Sequence, residues 1–137
     1  MFEFEVIGDI KGKARPRVNT QTCRAYTPTN TKDYEMLVKQ YFKVKYPRYV
    51  PLENRVKVII DAKFKIPKTT TKKEKELIIN GLLSPTKKPD IDNIVKIILD
   101  SLNGMAFKDD NQITKIEVEK SYAIDGDERV YVKIEEY

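Results

Sequence analysis

Five aspartates and a lysine fall close together in this sequence. Asp90, Asp92, Lys96 and Asp100 lie in the stretch KPDIDNIVKIILDSLNG, Lys88 to Gly104, and Asp109 and Asp110 follow in the next loop. Carboxylates in such a group can hold a hard cation. Mg²⁺ takes oxygen ligands, usually a few carboxylates plus waters, and leaves open positions for a substrate phosphate. Asp90 and Asp92 at the mouth of a helix, joined by an acid from Asp109-Asp110, can supply such ligands. Lys96, one turn beyond Asp92, can orient a ligand, activate water or neutralise charge developing at phosphorus.

Each feature also has a plainer explanation. Asp90 and Asp92 can cap a helix and complement its dipole. Asp92, Lys96 and Asp100, each four residues from the next, can be an ion-pair ladder worth about 0.3–0.5 kcal/mol per pair. Asp109-Asp110-Asn111 can be a turn. Their convergence beside a basic run, in a chain without histidine, favours metal-dependent phosphate chemistry. Two other motifs fail. Asp90-x-Asp92 begins like an EF-hand loop, but Val95 occupies the position of the turn glycine. Gly8 to Gly12-Lys13 has the wrong glycine spacing for a P-loop, and Ala14 stands where Ser or Thr is needed.

Composition narrows the chemistry further. Without histidine, neither a Ser-His-Asp nor a Cys-His arrangement can be built, and the usual zinc sites lack ligands. Any general base is a carboxylate, a lysine or metal-bound water. A single cysteine, Cys23, allows no internal disulfide and fits a reducing compartment. The expected location is the cytoplasm, since no apolar run approaches the ~18 residues of a membrane span and the N-terminus MFEFEVIGDI is no basic leader. The net charge of +5, from 26 Lys and Arg against 21 Asp and Glu, suits a polyanionic partner, but charge alone favours the plainer reading of a lysine-rich soluble surface.

The elements that position these residues follow from periodicity. In Lys88–Gly104, Ile91, Ile94, Val95, Ile98 and Leu102 keep the rhythm of a buried helical face, and Gly104 closes it as a C′ residue. Phe2, Phe4 and Val6 alternate with acids in a short strand. Lys11, Lys13, Arg15 and Arg17 recur at every second position, with Gly12 and Pro16 opposing a helix; this is either an extended phosphate-binding arm or a solvated loop. Arg24–Pro28 reads as a second short strand. A helix then runs to about Lys45, capped by Thr29, Asn30 or Thr31, with Tyr34, Leu37, Val38, Tyr41 and Lys45 inward. Arg55–Ile66 is the clearest strand: Val56, Val58, Ile60, Ala62, Phe64 and Ile66 share one face. The lysines of its other face read as solvent-exposed or as edge protection. Thr71-Lys-Lys-Glu74 has the form of a capping box for a helix to Asn80. Lys68, Lys72, Lys73, Lys75, Lys87 and Lys88 form the densest basic region, leading directly into Asp90. Strands at about 112–122 and around Val130, Val132 and Ile134, joined by the turn Asp125-Gly126-Asp127, read as a hairpin. The expected fold is one α+β domain over residues 1–137, a mixed sheet of four to five strands with about three helices.

The run Lys88-Pro-Asp90-Ile-Asp92-Asn93, with Lys96, Asp100, Leu102 and Asp109-Asp110-Asn-Gln-Ile113, resembles the signature of the RusA family of Holliday-junction resolvases. Lys13-Ala-Arg-Pro-Arg17 and Arg24-Ala-Tyr-Thr-Pro28 are similar to that family's N-terminal half. The resemblance implies a small homodimer that binds four-way DNA junctions and nicks two strands symmetrically with Mg²⁺ or Mn²⁺, in recombination and repair. By motif position it implies Asp90, Asp92 and Asp110 as metal ligands and Lys96 as the catalytic lysine. Asp110 is preferred over Asp109 as the loop ligand. A two-fold enzyme presents two identical sites to a near-symmetric junction. Lys13, Arg15, Arg17, Lys72, Lys73, Lys87 and Lys88 are the expected DNA contacts.

Overall fold

The computed structural model describes residues 1–15, 17–26 and 29–137, with the backbone alone for Arg17 and Tyr26. In chain order the elements are β1 (Phe2–Ile7), β2 (Arg17–Val18), β3 (Ala25–Tyr26), α1 (Thr29–Lys45), β4 (Val56–Lys65), α2 (Lys72–Ile79), α3 (Ile91–Leu102), β5 (Ile113–Ala123) and β6 (Arg129–Glu136). A 3₁₀ turn, Asp110–Gln112, precedes β5. The fold is the expected α+β mixture. One four-stranded sheet runs β1-β6-β4-β5, and β2 and β3 pair separately as a minimal antiparallel ribbon.

Strict alternation builds the sheet's inner face. Phe2, Phe4 and Val6 of β1, Val56, Val58, Ile60 and Ala62 of β4, and Val130, Val132 and Ile134 of β6 are buried together. Helices α1 and α3 cover this face with Tyr34, Val38 and Phe42, and with Ile94, Ile97, Ile98 and Leu102. Phe42 meets Phe2 and Phe4 edge-on, at ring-centre distances of 5.0 and 5.6 Å, the arrangement aromatic quadrupoles prefer. Positions on the opposite face, such as Lys57, Asp61 and Lys133, are only partly buried.

Five expectations differ from the structure. Strands β5 and β6 do not form a hairpin: β4 lies between them, parallel to β5 and antiparallel to β6. Residues 124–128 are long enough to step over one strand, since neighbours are only ~4.8 Å apart. Consequently β4 is central, and the lysines on its outer face cannot be guarding an edge. In α3 the buried side is turned: Ile97 is buried, whereas Ile91 is 41% exposed. In α1 the inward set is Thr31, Tyr34, Val38 and Phe42, while Lys45 is exposed. Thr29, Asn30 and Thr31 all lie inside that helix, so none of them occupies its N-cap.

Candidate functional site

The start of α3 carries two carboxylates that, among the described residues, make no side-chain hydrogen bond or ion pair. Asp90 stands at the N-cap with extended backbone (φ −69°, ψ 151°), yet its side chain makes no capping hydrogen bond. Asp92 follows in the first turn. Both are exposed, and the helix dipole favours negative charge at this end. The burial of Ile94, Ile97, Ile98 and Leu102 locks α3 to the sheet, so the free acids project from a rigid mount. Lys96 is exposed one turn further on, and among the described residues it has no ion-pair partner. The Asp92–Lys96–Asp100 ladder therefore does not form. Asp100 turns instead to Lys13, whose ammonium lies 3.2 Å from Asp100 Oδ2 and 2.8 Å from Glu35 Oε1.

The loop acids divide the work differently. The Asp109 backbone N–H donates to Gln112 Oε1 at 2.9 Å, and Asn111 Nδ2 donates to its carboxylate at 3.1 Å. Gln112 Nε2 in turn donates to the carbonyls of Leu52 and Asn54, which fixes the turn. Hydrogen bonding with Asp109, with further repulsion from Asp109 and Asp100, raises Asp110 above the ordinary carboxylate range. Among the described residues no three acids come together in a group that could hold one metal ion. The set Asp90, Asp92 and Asp110 is therefore not assembled in the single chain.

The segment leading into Asp90 is held from three sides. Lys120 of β5 donates from Nζ to the Lys87 carbonyl at 2.6 Å and to the Pro89 carbonyl at 2.9 Å, and the same ammonium lies 5.3 Å from the centre of the Phe64 ring. The Lys13 backbone N–H donates to the Asn93 carbonyl at 2.9 Å. Gly12 packs so closely that an added Cβ would stand 2.8 Å from Pro89 Cβ and 3.0 Å from Asn93 Cβ. Only a residue without a side chain permits this approach. Residues 10–14 and the Lys88–Asp90 segment thereby form the two walls of a cleft of about 520 Å³, with Asp90 and Asn93 in its lining. Lys120 went unnoticed in the sequence, although a signal existed. It falls in the phase of Ile116, Val118 and Tyr122, so it interrupts an apolar face with a charge.

The expected DNA contacts separate into two groups. Arg15, Lys72, Lys73, Lys87 and Lys88 are exposed and, among the described residues, form no ion pairs. Lys87 and Lys88 stand directly beside Asp90, and Lys72 and Lys73 open α2. The Arg17 side chain lies outside the described residues. Lys13 differs from the rest. Its side chain is 18% exposed and its charge is committed to Glu35 and Asp100, so it is a strut of the site rather than an open phosphate contact.

Two comparisons bear on what this arrangement does. The family model described as Endodeoxyribonuclease RusA matches residues 8–135 of the 137. The Bacillus subtilis (strain 168) protein described as Uncharacterized protein YqaN is 35% identical over 144 residues, covering 98% of this chain and 95% of that relative.

Proposed function

The chain belongs to the RusA endodeoxyribonuclease family, and on that premise we propose that it is a metal-dependent, structure-selective endonuclease that resolves four-way DNA junctions by paired hydrolysis of phosphodiesters. The observation that carries this reading is the pair of uncommitted carboxylates, Asp90 and Asp92, at the start of a buried helix and beside unpaired lysines. Two carboxylates suit Mg²⁺ or Mn²⁺, which fills its remaining positions with water and substrate phosphate. Asp90, which occupies an N-cap without using its oxygens as a cap, supports that fit. Asp110 is the further acid of the motif proposed as a ligand. When bound, the ion polarises a phosphoryl oxygen and lowers the pKa of water. Lys96 is proposed to neutralise charge developing on the phosphate oxygens, and Lys87 and Lys88 to hold the flanking backbone.

The active form is proposed to be a homodimer in the cytoplasm, acting in recombination and repair. Support comes from β5, an edge strand whose outer side pairs with no other strand among the described residues and which leaves Ile116 41% exposed. No described helix is long and apolar enough to cross a membrane. A second reading, a junction-binding protein without catalysis, draws on the separation of Asp110 from Asp90 and Asp92. A labelled synthetic junction distinguishes the two. Paired nicks that require a divalent metal and fall at least ~100-fold in Asp92→Asn, with junction affinity retained, support the nuclease. Tight binding without nicking under Mg²⁺ or Mn²⁺ supports the binder.

A further inference from the structure

A second cleft, of about 370 Å³, adjoins the one that contains Asp90 and shares Lys88 with it. Its apolar lining includes Phe64 and Tyr122, which are register partners on the parallel strands β4 and β5. Leu83 and Pro85 add further apolar surface. Its two carboxylates are already engaged. Glu128 accepts from the Ile10 and Lys65 backbone N–H groups at 2.8 and 2.9 Å, and Glu74 accepts from Thr71 at the start of α2. What is left uncommitted is cationic: Lys65, Lys87 and Lys88 line the same cleft and form no ion pair among the described residues.

An aromatic recess bordered by free ammonium groups fits a ligand that joins a flat ring to an anion, which is the chemistry of a nucleotide. Stacking on aromatic side chains accepts any base, because every base has a π-face. The two clefts share Lys88. A strand whose backbone passes Lys87 and Lys88 therefore sends one neighbour toward Asp90 and the other toward Phe64 and Tyr122. We propose that this cleft receives an unstacked nucleobase next to the phosphodiester presented to Asp90 and Asp92. The inference rests on the nuclease reading and adds to it a base-binding subsite. The Lys120 ammonium, bonded to the Lys87 and Pro89 carbonyls and placed over Phe64, ties a lining residue of each cleft to β5.

Four-way junctions carrying 2-aminopurine at successive positions around the branch test this, bound in the presence of chelator so that no strand is cut. One position is expected to change its emission several-fold on binding. The change is lost in Tyr122→Leu and kept in Tyr122→Phe, which retains the ring; equal thermal midpoints establish that both variants fold. In Mg²⁺, an abasic nucleotide at that position slows wild-type nicking about tenfold and slows Tyr122→Leu no further, because the partner is already gone. Binding without a Tyr122-dependent signal at any position overturns the subsite and leaves the nuclease reading intact. Multiplicative effects of the abasic site and Tyr122→Leu also overturn the subsite alone. Failure to bind junctions overturns the functional reading on which it rests.

Discussion

Replacing Lys13 with methionine separates an internal strut from a DNA contact. In the folded chain this ammonium bridges Glu35 on α1 and Asp100 on α3 at 2.8 and 3.2 Å, with side chains 18%, 18% and 33% exposed. Unit charges ~3 Å apart attract by roughly 5 kcal/mol at an effective dielectric of about 20, and desolvation of the three groups offsets most of that. An exposed pair contributes only ~0.2–1 kcal/mol, whereas breaking a buried one costs about 3–5 kcal/mol. With a fifth to a third of each side chain still in water, Lys13→Met lies between these limits, at about 2 kcal/mol. For a domain of this size that lowers Tm by about 6–10 °C.

Burial alone would lower the Lys13 pKa, but hydrogen bonds and attraction from Glu35 and Asp100 raise it above the ordinary 10.5. A raised lysine stabilises the fold at every pH below its unfolded value and loses that contribution only as pH rises through the folded one. The Lys13→Met deficit is therefore constant across neutral pH and narrows in strong base. Thermal and urea melts at pH 7 measure it, and adding Glu35→Gln and Asp100→Asn recovers at least half, because the abandoned carboxylates go too. A Tm loss under ~2 °C would refute the strut, above all if the salt slope of junction binding fell by about one, the sign of a lost phosphate contact.

Three further outcomes are expected. Tyr34 buries a hydroxyl that has no hydrogen-bond partner among the described residues, so Tyr34→Phe leaves Tm unchanged or raises it by the equivalent of about 1 kcal/mol; a clear loss of Tm would expose an unrecognised bond. Gly12→Ala drives a methyl into Pro89 and Asn93 at a cost of about 1–3 kcal/mol; nicking slows while junction affinity, measured separately, holds, since the displaced residues flank Asp90 and Asp92. Ile116→Lys places a charge beside the free edge of β5 and shifts the protein to monomer in light scattering; an unchanged dimer moves the interface elsewhere.

Alternation in β1, β4 and β6 was legible because one face of each strand is dry and the other is not. That pattern names a face but not a neighbour, which is why β5 and β6 read as a hairpin although β4 lies between them. In α3, apolar residues extend over more than half the circumference, so helical rhythm alone could not choose between Ile91 and Ile97. The acids at Asp90 and Asp92 were legible as a local pair, and the family signature was legible in residues close in sequence. The position of Asp110 relative to Asp92 was not legible, because it depends on how the loop after α3 folds. Lys13 looked like one of four equivalent basic residues, since Glu35 and Asp100, which give it another task, are remote in the chain.

Helix α2 is fastened to the body by one buried side chain, Ile78, and is otherwise held by its own Thr71–Glu74 capping box. A helix tied down so lightly opens at far lower free energy than the core and without disturbing it. It also forms one wall of the aromatic cleft. The span from Pro67 to Pro85 is therefore a replaceable panel, where residues can be inserted, deleted or stiffened at little cost to the β4–α3 scaffold. Descendants of this chain have there an inexpensive way to change which substrates they grip while the acids of α3 stay fixed.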